Sequence, residues 1–107
     1  MKKSSGLGGS VVSNNILQNK GELKWCIKEQ PVNALDNGWR FLSDIDTEEY
    51  LADASNMSIC DWGTIIEIEP AIMNIFDMSF GTDITLLSEN KKKYFVYTES
   101  GEKVIFK

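Results

Sequence analysis

The sequence predicts a single small α+β domain, and three observations carry the prediction. β-patterned segments stand at both ends of the chain, helix-initiation signals lie between them, and nothing repeats in the strand-helix-strand order that builds a doubly wound parallel sheet. The strands are expected to pair antiparallel, with short helices in the middle and a three-stranded meander closing the C-terminal end. Residues 1–9 (MKKSSGLGG) read as a flexible leader and residues 10–107 as the domain.

The first strand is expected around Val11-Val12, where a β-branched pair follows Gly8-Gly9. Ile16 and Leu17, set between Asn14-Asn15 and Asn19-Lys20-Gly21, fit one helical turn flanked by turn chemistry. From Glu22 to Glu29 the residues alternate. This predicts a half-buried strand with Leu23, Trp25 and Ile27 on one face and Lys24, Cys26 and Lys28 on the other. Pro31 ends it, Asp36-Asn37-Gly38 reads as a turn tolerant of positive φ, and Trp39 to Ser43 as the next strand.

Asp46 is then placed to cap a helix over residues 47–53, with Glu49 completing a capping box and Ile45 and Tyr50 at the staple positions. Met57 to Cys60 reads as a further short strand. Beyond Asp61, Ile65, Ile68, Ile72, Ile75 and Phe76 recur at helical spacing, and Thr64 with Glu67 form a second capping signal. Pro70 interrupts this run, so two consecutive short helices are expected with Pro70 in the first turn of the second. Gly81 marks the exit. Thr82 to Ser88, Tyr94 to Thr98 and Lys103 to Phe106 form the meander, divided by two polar turns.

The chain contains no histidine, which removes Ser-His-Asp and Cys-His catalysis, histidine metal sites and the usual acid-base group at neutral pH. Two cysteines, Cys26 and Cys60, are too few for a disulfide framework and wrongly spaced for zinc, and read as reduced and inert. Asp44, Asp46 and Glu48 have the opening spacing of a calcium loop. That loop would then need glycine at Glu49 and a bidentate glutamate at Ser55, so the motif fails. Gly6 to Gly9 lack the lysine of a phosphate loop and precede a strand instead of following one. No catalytic residue, metal site or cofactor is expected, and the chain reads as a binding protein and not as an enzyme.

With 16 acidic and 11 basic residues, the net charge of −5 opposes nucleic acid backbones and anionic membranes and favours a basic protein surface. No apolar run is long enough to span a membrane, and Lys2-Lys3 lead into Ser/Gly instead of an apolar secretory core, so a cytoplasmic location is expected. Lys91-Lys92-Lys93 beside Tyr94, Phe95 and Tyr97 read as a charged hairpin tip next to core aromatics. Trp25, Trp39 and Trp62 read as core.

The run Asn37-Gly38-Trp39-Arg40-Phe41-Leu42-Ser43-Asp44, followed by Glu48-Glu49-Tyr50-Leu51, resembles the hallmark of a bacterial family of predicted immunity proteins of polymorphic toxin systems, immunity class thirty-three. The likeness extends through Val11-Val12-Ser13, the region from Asp61 to Pro70, and Gly81-Thr82-Asp83. It departs at Ser43-Asp44-Ile45-Asp46, where the family pattern has glycine and then an acidic pair. The resemblance implies a non-enzymatic protein that binds and neutralises a cognate toxin. An alternative is a general interaction or regulatory module with no toxin partner.

On the toxin-binding reading, the contact surface is expected between Trp39 and Asp53. Asp44, Asp46, Glu48 and Glu49 would steer a basic partner, and Trp39, Arg40 or Tyr50 would anchor it if accessible. The same stretch admits a purely structural reading, in which Trp39 and Phe41 pack in the core, Arg40 pairs with a carboxylate and the acids cap a helix.

Overall fold

The computed structural model describes residues 5–106; Met1 to Ser4 of the expected leader, and Lys107, lie outside them. The fold is α+β, built among the described residues on six strands: β1 (Gly9–Ser13), β2 (Leu23–Lys28), β3 (Asp36–Ser43), β4 (Met57–Asp61), β5 (Asp83–Glu89) and β6 (Lys92–Tyr97). They form one sheet in the order β4-β1-β3-β2-β5-β6. Three short α-helices accompany them, α1 (Asn14–Leu17), α2 (Glu48–Leu51) and α3 (Trp62–Ile68), together with 3-10 segments at Ala54–Asn56 and Pro70–Asn74.

The sheet corrects the expectation of purely antiparallel pairing, because β1 and β3 run parallel. The chain leaves β1 through α1, passes over the end of β3 and returns along β2, which pairs antiparallel with β3. β3 therefore slots between β1 and β2. The next connection, residues 44–56, crosses the end of β1 to reach β4, which pairs antiparallel with β1. Both crossings lie at one end of the sheet. The loop between β2 and β3 lies at the other.

Register divides the sheet into two faces. Val12, Phe41, Cys26, Ile84 and Tyr97 stand in line across neighbouring strands, and Ser58 extends the line onto β4. On this face α3 and the Pro70–Asn74 segment bury Trp62, Ile65, Ile72 and Ile75 against Val12, Trp39, Phe41 and Ile84. The rings interlock: Trp39 stacks on Phe41 at 5.9 Å, and Trp62 meets Phe76 edge-on at 4.9 Å. Lys28 closes the exit from these helices by donating from Nζ to the carbonyls of Phe76 (2.8 Å) and Met78 (2.7 Å).

In β2 the predicted faces are reversed. Leu23 and Cys26 are buried, whereas Trp25 and Ile27 are half-exposed on the opposite side. The cause is a bulge at Lys24: Leu23 opposes Ser43 but Trp25 opposes Leu42, so one extra residue flips the alternation. Asp36-Asn37-Gly38 also differs from expectation. These residues open β3 and form no turn before it, although Gly38 does take the positive φ, at 89°, within a second irregularity between β1 and β3.

Two expected caps move by a residue or more. Thr47, not Asp46, caps α2 by accepting from the N–H of Tyr50, which places Tyr50 where a capping box needs glutamate and dissolves the Ile45–Tyr50 staple. Asp61 caps α3 by accepting from Gly63, leaving Thr64 without that role. Pro70 does begin the second, 3-10, helix as its spacing requires. The meander is shorter than expected: β5 and β6 pair fully, but Lys103 to Phe106 contributes only a bridge from Lys103 to Val96.

The β5–β6 hairpin turns on Asn90 (φ 51°) and Lys91 (φ 67°), with Glu89 opposite Lys92. Two successive positive φ angles in a two-residue loop favour Asn-Gly, and a lysine at the second position costs about 1 kcal/mol. Lys91→Gly is expected to raise stability by about 0.5–1 kcal/mol, read as a higher urea midpoint at unchanged m-value.

Candidate partner-binding surfaces

The acidic segment between β3 and α2 sits where both chain crossings meet, and its four acids divide into two kinds. Asp46 turns inward. Its carboxylate accepts from Ser43 N (2.8 Å), Ser43 Oγ (2.5 Å), Ser13 Oγ (2.9 Å) and Asn15 Nδ2 (2.8 Å), joining the ends of β1 and β3 to α1. Burial opposes its charge, but the donors from Ser43, Asn15 and Ser13 together outweigh that and hold its carboxyl below the usual range. This side chain is committed to the fold.

Asp44, Glu48 and Glu49 are exposed. One Asp44 oxygen accepts from the N–H of Glu22 at 2.9 Å, which fixes the direction of the turn while the carboxylate keeps its contact with solvent. Glu48 and Glu49 occupy the first turn of α2, where the helix dipole favours negative charge. Tyr50 is half-buried; its hydroxyl donates to the carbonyl of Asn56 at 3.4 Å, and Asn56 Nδ2 donates back to the carbonyl of Tyr50 at 2.8 Å. Asp44, Glu48 and Glu49 thus form an exposed acidic corner beyond the end of β3, beside a partly accessible tyrosine, with Lys20 and Lys24 sharing the surface hollows next to Asp44.

The remaining expected contact residues lie elsewhere. Trp39 is completely enclosed, with its Nε1 donating to the Phe76 carbonyl at 3.2 Å, so the accessibility that an anchor requires is not met. Arg40 lies on the face of the sheet away from the helices, opposite Val11 on β1 and Ile27 on β2. Its guanidinium makes a fork with both oxygens of Asp36, each at 2.8 Å. That hydrogen-bonded pairing holds the Asp36 carboxyl well below the usual range.

Sequence reasoning passed over the loop between β2 and β3. Val32 and Leu35 are 81% and 79% exposed, and Ile59 on the edge strand β4 is 79% exposed. The loop is held firmly: Gly9 N–H donates to the Leu35 carbonyl at 2.8 Å, Val32 N–H to Asp36 Oδ2 at 2.9 Å, and Leu35 N–H to Asn33 Oδ1 at 2.9 Å. Gly8 permits this approach, since a Cβ there would stand 2.7 Å from the Leu35 carbonyl oxygen. The available signal was two aliphatic residues inside Pro31-Val32-Asn33-Ala34-Leu35-Asp36, a loop otherwise built from turn formers.

Neither cysteine is activated. Burial raises the pKa of the fully enclosed Cys26, with Glu69 and Asp83 adding to the effect, and also that of Cys60. Among the described residues no group of three or more Cys, Asp or Glu side chains is placed to hold a metal ion, and no helix is long and apolar enough to cross a membrane.

No curated protein and no solved structure matches the chain. The family described as Immunity protein Imm33 domain matches residues 10–97, a span running from Ser10 in β1 to Tyr97 at the end of β6 and so taking in all of the six strands but Gly9. With most of its length inside that match, the chain belongs to the Imm33 family of immunity protein domains.

Proposed function

We propose that this chain binds and neutralises a cognate protein toxin, without catalysis of its own, in the cytoplasm of the cell that makes it. Membership of the immunity family across residues 10–97 carries the reading. The chemistry of the chain supports it: a net charge of −5 with Asp44, Glu48 and Glu49 exposed on one corner suits approach to a basic protein, and an acidic inhibitor competes directly with an anionic substrate for a basic toxin surface. Of the residues expected to make contact, Asp44, Glu48 and Glu49 steer the encounter and Tyr50 lies at its margin. Arg40 takes part as half of a rigid ion pair with Asp36. Trp39 and Asp46 act through the fold.

The test is binding of the purified chain to the toxin domain encoded beside its gene, followed by stopped-flow at several salt concentrations. A one-to-one complex whose association slows with salt is expected. The triple variant Asp44→Lys, Glu48→Lys, Glu49→Lys should lower the association rate about tenfold at low ionic strength, with the difference shrinking as salt is added. An unchanged rate and salt dependence would remove this corner from the encounter surface. Absence of any complex with the wild-type chain would reject the toxin-binding reading.

A further inference from the structure

The two edges of the sheet differ. Along the outer side of β6, Tyr97 N–H donates to the Glu102 carbonyl at 2.8 Å, Val104 N–H donates to the Phe95 carbonyl at 2.8 Å, and Lys103 bridges to Val96. The exposed Lys92 and Lys93 add charge to that strand, so it is closed to further pairing. At the opposite edge, β4 has none of these protections among the described residues. It pairs with β1 over all five of its residues without a bulge, and Met57-Ser58-Ile59-Cys60 contain no charge and no proline. Ile59, at the centre of the strand, is 79% exposed.

Backbone direction decides what that edge accepts. Gly9 N–H turns toward β3, where it meets the Leu35 carbonyl, whereas the Gly8 carbonyl turns toward β4 and accepts from Trp62 N–H at 3.0 Å. Alternation then directs Ser10 and Val12 to Cys60 and Ser58, so Ile59 aims its own N–H and C=O away from the sheet. A donor and acceptor on one extended residue are complementary to the same pair on an antiparallel strand, and β4 is itself such a strand. With Ile59 set against Ile59 of a second copy, the two residues exchange both hydrogen bonds, Ser58 stands opposite Cys60 and Met57 opposite Asp61. All five residues overlap in this register. Any other antiparallel register is shorter, because β4 runs directly into α3 at one end and follows the 3-10 segment Ala54–Asn56 at the other. The same register keeps the two Asp61 residues at opposite ends of the seam, so no like charges face each other across it. Both strands are ordered before they meet, which leaves little entropy to lose on pairing.

We infer that β4 pairs with β4 of a second copy of this chain, antiparallel about Ile59, and joins the two sheets into one. The pairing is two-fold and closed: because the β6 edge is covered, assembly stops at the dimer. A single five-residue strand from each copy buries little area, so the dimer is weak and reversible and forms at high concentration. Added salt strengthens it by screening the −5 charge of each copy, the reverse of the salt effect expected at the acidic corner. The dimer needs no toxin and is independent of the toxin-binding reading.

The experiment is sedimentation equilibrium of the full chain from about 10 μM to about 1 mM, the range suited to so small an interface, read beside amide hydrogen exchange of the wild type. A monomer–dimer equilibrium is expected, with exchange at the Ile59 N–H slowed about threefold or more at the highest concentration. Ile59→Lys should weaken association about tenfold or more at an unaltered thermal midpoint, since the side chain is exposed and a lysine blunts an edge. Leu35 shares a hollow with Ile59 but stands off the edge, on the loop before β3, so Leu35→Ser should leave association within about twofold. A chain that stays monomeric throughout, or a dimer whose Ile59 amide exchanges at an unchanged rate, would overturn the pairing. Equal loss in Leu35→Ser would also overturn it, by assigning the contact to apolar packing of the sheet face. Slowing of the Ile59 amide only when the adjacent gene's toxin domain is added would overturn it too, by giving the edge to the toxin. Should Ile59→Lys lose its fold, the wild-type exchange measurement decides alone.

Discussion

Asp46→Ala is expected to cost about 3–5 kcal/mol, a large part of the total stability of a domain this size. The residue accepts four hydrogen bonds, and the donors it would abandon are enclosed: Ser13 and Ser43 are fully buried and Asn15 nearly so. Both crossings of the sheet end on this one carboxylate, so its loss releases the start of α1 and the connection to α2 together. Asp46→Asn keeps one carbonyl acceptor and the shape of the side chain, and should cost roughly half as much. Because the native carboxyl is held below its ordinary value, its stabilising contribution is complete above the unfolded Asp pKa of about 3.9 and is withdrawn as pH falls through the lower, folded value. The stability gap between wild type and Asp46→Asn should therefore be widest near neutral pH and narrow below about pH 4. Urea unfolding at pH 7, 5, 4 and 3 reads both effects. A constant gap across that range would show that the charge on Asp46 contributes nothing.

Gly38→Ala is expected to destabilise by about 3–4 kcal/mol, several times the usual cost of adding a methyl group. Two separate penalties combine. The backbone at Gly38 has φ 89°, where an L-residue is strained, and a Cβ would stand 2.4 Å from the carbonyl oxygen of Glu29, a backbone atom unable to retreat without breaking the hydrogen bond from Glu29 N–H to the Gly38 carbonyl (2.8 Å). Gly101→Ala isolates the first penalty, because Gly101 has φ 76° with nothing within 4 Å of the added carbon. That variant should lose only about 1 kcal/mol. Equal losses at the two positions would mean that the contact with Glu29 relaxes freely.

Local chemistry made much of this fold legible. Pro70 breaks the helical run because its ring excludes the preceding turn, and that needs nothing from the rest of the chain. The strand character of β2 and the polar turn between β5 and β6 were equally local. What could not be read depended on distant residues. β3 inserts between β1 and β2 because of how all three bury their apolar faces, and no short segment records that choice. The bulge at Lys24 reversed the facing of β2, turning Trp25 and Ile27 outward and Cys26 inward. Asp46 resembles a helix cap in sequence, yet Ser13 and Asn15, far upstream, claim its carboxylate and leave capping to Thr47.

The candidate surface was legible to the same extent and for the same reasons. Exposed acids announce themselves by composition, and Asp44, Glu48 and Glu49 do reach the surface. Trp39 looked like an anchor because tryptophan suits interfaces, but it also suits cores, and here Phe41, Trp62 and the Phe76 carbonyl enclose it. The exposed aliphatic residues Val32, Leu35 and Ile59 escaped notice because they come from two separate segments, brought near each other only by the pairing of β1 with both β3 and β4.

The most direct test of the central claim is titration of the adjacent gene's toxin domain with the purified chain while the toxin's own activity is followed. Loss of activity in proportion to added chain, complete at one equivalent, is the predicted result. Full toxin activity in the presence of excess folded chain would contradict the account.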